Sequence, residues 1–176
     1  MKQTLLALLT LSVALFAAPS AEIKAKVEKK IAEMSALSTD PTVVAEVKAY
    51  NTAPPAEAKD MTNDKWKALT IMSPEVKAFA KNKLAGYLKG KKTPEIDEMF
   101  VNGNDGGKVA FLNKTTSWSH KGKPKHELPM TGKNWIGDVE LDESSGKQSI
   151  QFSMPVLDGS KAIGSIVIGL SVADLK

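Results

Sequence analysis

The chain has no cysteine and no arginine. Without cysteine there is no disulfide, zinc–thiolate site, thiol nucleophile or c-type haem attachment. Without arginine no guanidinium can grip a carboxylate through two parallel N–H bonds, and every basic side chain is a lysine, a point charge on a flexible stem. The GxSxG, HExxH and phosphate-loop signatures are missing too, and no serine stands beside an evident base and orienting acid. No catalytic residue is assigned, and the chain is read as not being an enzyme. His120 and His126 are the only histidines, and a metal site wants a third ligand and tighter geometry. No metal and no cofactor is therefore expected, and both histidines are expected at the surface. The formal charge of +4 is spread as lysine–glutamate mixtures, which describes a solvated surface before a nucleic-acid patch.

The one long apolar run comes first. Lys2 precedes Leu5–Ala18, interrupted only by Thr10 and Ser12, and Ala18-Pro19-Ser20-Ala21 supplies the small residues a signal peptidase needs. The run is too short for a comfortable membrane span. Residues 1–21 are read as a cleavable signal peptide and the product as periplasmic, an uncleaved N-terminal anchor being the alternative. Residues 22–176 are read as one domain, helical over 22–92 and sheet-forming over 94–174.

Glu22–Leu37 places Ile23, Val27, Ile31, Met34 and Leu37 on one helical stripe, which suits either packing on a sheet or a short dimer seam. Asp40-Pro41 is a helix start, and Val43, Val44, Val47 and Tyr50 then give a second short amphipathic helix. Thr62 or Asn63 opens a short turn bearing Trp66. Ser73-Pro74 opens another helix, closed by Gly90. From Pro94 the period changes to that of strands: Ile96–Val101 and Lys108–Asn113 flank a glycine-rich turn. Trp135–Val172 then reads as a three-stranded meander. Ile150, Phe152, Met154 and Val156 alternate with Ser149, Gln151, Ser153 and Pro155, giving one buried and one wet face. Pro155 marks a local edge or bulge. Ile163–Val172, apolar almost throughout and rich in β-branched residues, reads as a central strand.

Lys114–Asn134 is a long polar connection, the kind that serves as a lid or binding loop. Trp118 and Trp135 flank it as candidate walls of a small-ligand pocket, with core filling as the other reading, since Trp135 has the parity of Val139 and Leu141. Asp138, Glu140 and Asp142 share one strand face. They are either an outer wet face or, in part, carboxylates that meet a ligand cation.

The stretches EIDEMFVNGNDGGKVAF, the loop ending in KNW, and IGDVELDESSGKQSIQFSMPVLDGSKAIGSIVIGL resemble Cache domains, the extracytoplasmic PAS-like sensors, and above all the single-Cache (PDC-type) form. Met154-Pro155-Val156, Asp158-Gly159 and Ile163-Gly164 are the most specific part of that match, which spans Glu95–Leu175. The resemblance implies an α+β fold: N-terminal helices packed on a five- or six-stranded antiparallel PAS-like sheet. It implies a free-standing periplasmic domain that binds a small organic acid, amine or amino-acid-like solute. The signal would pass to a membrane histidine kinase or chemoreceptor. Trp118, Trp135 and Asp138 fall against the family's ligand-gripping positions, with Lys133 in place of the missing arginine and His120 and Glu140 as further polar contacts. The rival expectation is a ligandless interaction module that modulates a membrane receptor through the 22–37 helix, which could also mediate a homodimer.

Overall fold

The computed structural model describes residues 16–142 and 147–176. The expected signal peptide therefore falls mostly outside the described residues, as does the turn at 143–146. Among its described residues, β1 (Phe16–Ala17) pairs with a later strand. Among the described residues no helix is long and apolar enough to cross a membrane.

The helical half begins with α1 (Ala21–Met34), capped by Ser20 and continued by a 3-10 turn at Ser35–Thr39. Its stripe turns inward: Val27 and Leu37 are buried, and Ile23, Ile31 and Met34 pack against the core. The next helix, α2 (Pro41–Thr52), starts where Asp40 accepts hydrogen bonds from the backbone N–H groups of Thr42 and Val43, as the Asp-Pro pair predicts. Thr62 caps α3 (Asn63–Ala68) in the same way. The helix expected from Ser73 to Gly90 is two helices, α4 (Pro74–Ala80) and α5 (Lys83–Lys89). Asn82 causes the break. Its Oδ1 caps α5 at the Ala85 N–H while its Nδ2 donates to the Val109 carbonyl, so one side chain starts a helix and ties it to the sheet.

The sheet holds β2 (Ile96–Asn102), β3 (Lys108–Phe111), β4 (Trp135–Asp142), β5 (Lys147–Asp158) and β6 (Lys161–Ser171) in the order β1-β4-β5-β6-β2-β3, every pairing antiparallel. This is the expected α+β architecture, with six strands. β6 is central, as its composition predicts. Pro155 lies beyond the last β4–β5 pair, Trp135 opposite Ser153, so its missing N–H breaks no ladder bond on that side.

The two faces of this sheet differ in kind. On one, Ile150, Phe152, Met154, Ile166, Ile168 and Leu170 meet α1, α2 and the 3-10 turn in a wholly apolar layer. Fully burying a side chain of this size contributes about 1.5–3 kcal/mol, so this face carries the fold. The other face presents Glu98, Asn102, Lys108, Gln151, Ser153 and Ser165. The alternation predicts that this face is wet, and the structure corrects that: it is covered. The polar connection contains a short helix, α6 (Pro124–Met130), which lies against β4, β5 and β6.

Candidate functional site

The covered polar face is the candidate site. It is built around Lys108, the first residue of β3, which is fully buried. Its Nζ lies 2.8 Å from Asn102 Oδ1, 3.0 Å from the Trp118 carbonyl oxygen and 2.7 Å from His120 Nδ1. These three partners are neutral. Burial pushes Lys108 well below the ordinary lysine range, with Glu98 opposing from within the site. The His120 contact is satisfied in either proton state: an ammonium donates to Nδ1, and a neutral amine accepts from an Nδ1–H. The Lys108 Nζ also lies 4.6 Å from the centre of the Phe100 ring, on which His120 stacks at 5.0 Å.

The chain of contacts continues across the sheet. Asn102 Nδ2 donates to Ser165 Oγ at 2.9 Å, leaving the Ser165 hydroxyl proton for His126 Nδ1, also at 2.9 Å. His126 belongs to α6, so this bond fastens the helix to β6. Both histidines are thus buried, not at the surface as expected. Burial together with the positive charge of Lys108 holds His120 at about 2. Burial also lowers His126, against the pull of Glu127. They work as neutral hydrogen-bonding rings.

A second cluster lies toward β4. Lys125, in the first turn of α6, donates to Gln151 Oε1 and stands 5.9 Å from the centre of the Trp135 ring. Gln151 Nε2 donates to Glu98 Oε2 at 2.7 Å. Burial raises the Glu98 carboxyl above the usual range, although Lys125 and the Gln151 bond oppose the rise. Ser153, opposite Trp135 in the register, is fully buried and its Oγ has no hydrogen-bond partner among the described residues. Such a group costs about 1–3 kcal/mol unless something meets it.

The structure separates the residues that the sequence groups. Trp135 and Glu140 belong to this face. The expected parity of Trp135 with Val139 fails because β4 carries an irregularity between Ile136 and Val139. Trp135 pairs with Ser153 and Glu140 with Ser149, both on the α6 side, while Val139 pairs with Ile150 on the apolar side. Gly137 makes room for the indole, since a Cβ there would stand 2.6 Å from Trp135 Cη2. His120 is in the deep network. Asp138 and Lys133 are exposed, as is Glu140. Trp118 is packed 5.2 Å from Trp66 and 4.9 Å from Phe79, ring centre to ring centre, so an aromatic core occupies the space expected as a chamber beneath it. Trp66 anchors that core by donating from Nε1 to the Thr115 carbonyl at 2.7 Å.

Sequence reasoning misses Glu98, Asn102, Lys108, Gln151 and Ser165. The available signal is the repeated polar residue at every second position of β5. It reads as wet because α6, with prolines at 124 and 129 and no apolar stripe, does not announce itself.

No protein-family model matches the sequence, and no curated protein matches it. Solved structures do. The sensor domain of the V. cholerae histidine kinase DctB aligns with a TM-score of 0.52 and 15% identity, over 88% of this chain and 52% of that one. The two chains share a fold. The resemblance to Cache domains holds at that level, and the chain spans about half the length of the DctB chain it matches. Fainter likenesses, with TM-scores of 0.41 and 0.39, join it to two chemoreceptor domains. One is the sensory domain of Campylobacter jejuni Tlp3, at 12% identity over 87% of this chain and 65% of that one. The other is the ligand-binding domain of the Pseudomonas aeruginosa PAO1 amino acid chemoreceptor PctC in complex with GABA, at 9% identity over 85% and 62%.

Proposed function

We propose that this chain is a periplasmic sensor domain that binds a small solute between its sheet and α6. It would report that solute to a membrane histidine kinase or chemoreceptor. The observation that carries the reading is the polar sheet face itself. A domain of this size has no structural need to bury Lys108, Asn102, Ser153 and Ser165 on one sheet face. Buried polar groups cost free energy unless each is met, and such groups gather where something is recognised. Trp135 and Glu140 stand at the open side of this face, with Lys125, Gln151 and Glu98 beside them, and would make the contacts. His120 and Lys108 would set its floor.

The ligandless interaction module keeps one observation in its favour: Trp118 stands on Trp66 and Phe79 with the protein's own rings filling the space. Thermal unfolding across a panel of organic acids, amines and amino acids separates the two readings. A solute held at one hundred times its dissociation constant adds about 2.7 kcal/mol. The resulting rise in melting temperature should shrink in Trp135→Ala and Glu140→Gln. A rise unchanged in both variants would move the site elsewhere. A panel without any effect, together with no small molecule co-purifying by mass spectrometry, would leave the interaction module.

A further inference from the structure

We propose that the cluster at the β4 side of the polar face is a subsite for a small organic ammonium ion. In the ligand-free protein, Lys125 occupies it as a tethered stand-in. The inference rests on the sensor reading above and narrows its ligand.

Lysines on a short surface helix normally run their ammonium out to water. Lys125 does not. It turns inward from the first turn of α6, is half-buried, faces the Trp135 ring at 5.9 Å and donates to Gln151 Oε1. The negative charges of Glu98 and Glu140 both act on it. An aromatic face, an amide oxygen and two carboxylates around one cation are the parts from which ammonium sites are made.

Lys125 fills this site poorly. Glu98 is bonded to Gln151 and meets the ammonium only through that amide. Burial holds the Lys125 ammonium below the ordinary lysine value and the Glu98 carboxyl above its own, so each charge lacks full compensation. The Ser153 Oγ, buried on the same face and opposite Trp135, is left with no partner among the described residues. A free ammonium ion carrying a hydroxyl or carbonyl group would bond directly to a carboxylate and also meet Ser153. It would let Lys125 return to water.

A tethered group competes as though present at about millimolar concentration, so its removal should sharpen binding of an untethered analogue. The probe is n-butylammonium, the lysine side chain without its backbone, titrated calorimetrically into the full chain and into Lys125→Ala. Half-saturation is expected at a concentration at least tenfold lower in the variant, and the gain should vanish when Glu140→Gln is added. Ethanolammonium should bind the variant at least as well as n-butylammonium, while n-butanol and n-butyrate should not bind. Equal binding of n-butanol, preference for n-butyrate, or no gain in a folded Lys125→Ala would overturn the proposal. If that variant does not fold, the unaltered protein decides. Its Lys125 Nζ resonance should move to the position of a free lysine as n-butylammonium saturates, and a resonance that stays put refutes the assignment. A panel solute that depends on Trp135 without any ammonium preference would sink the subsite and spare the sensor reading. Ammonium binding to Lys125→Ala with no panel solute acting on the unaltered protein would do the reverse.

Discussion

Acidification below pH 6.5 should weaken this protein through His120. The ring is 5% exposed, stacks on Phe100 and has Nδ1 against Lys108 Nζ at 2.7 Å. Its folded value of about 2 lies far below the 6.5 of a free histidine. The unfolded chain therefore binds the proton that the folded chain refuses. The stability this contributes is fully present above pH 6.5 and is lost as the pH falls toward the folded value. From pH 7 to pH 5 the loss from this one ring is at most about 2 kcal/mol, because each tenfold rise in proton concentration below pH 6.5 favours the unfolded chain by about 1.36 kcal/mol. His126, also lowered by burial, adds to it. Glu98 opposes, because its raised carboxyl takes up a proton in the folded state as pH falls. Urea unfolding followed by tryptophan fluorescence at pH 7, 6 and 5 measures the slope. His120→Asn offers an oxygen to Lys108 in place of Nδ1 and cannot titrate. It should be less stable at pH 7 and lose less on going to pH 5. A flat profile in the unaltered protein, or equal slopes in the two, would refute the account of a neutral buried ring.

Three substitutions test other parts of the argument. Asn82→Ala removes a helix cap and strands the Val109 carbonyl, and should cost about 2 kcal/mol in chemical unfolding. Trp66→Ala empties the aromatic core under Trp118 and breaks the bond to Thr115. It should cost about 3–5 kcal/mol, with proteolysis starting within 113–123. Gly164→Ala would put a methyl 2.4 Å from the Asn102 carbonyl oxygen. A strand displacement of that kind should cost about 1–3 kcal/mol, read as a lower melting temperature.

Local chemistry is legible wherever it acts over a few residues. Asp40-Pro41 and Thr62 cap helices because their oxygens reach N–H groups two or three positions on. The alternation in Ser149–Val156 correctly separates the two faces of β5, because strand parity needs no partner. What covers the second face is hidden: α6 owes its place to His126–Ser165 and Lys125–Gln151, bonds that cross 39 and 26 positions. The irregularity in β4 is likewise invisible beforehand, since it exists only relative to β5. It puts Trp135 and Glu140 on one face although they are an odd number of residues apart. Trp118 is misplaced by sequence reasoning for a related cause, because its neighbours Trp66 and Phe79 come from the helical half.

β6, in the middle of the sheet, is the last of the described strands in chain order. β6 joins β5 to β2, and without it two separate ribbons remain, β1-β4-β5 and β2-β3. A nascent chain lacking residues 161–171 thus has no continuous platform on which α2 or α6 can settle. Pairing Ile96 with Leu170 also closes a long loop, a topology that slows collapse. A polypeptide that acquires its strands in this order cannot close the sheet until β6 is available.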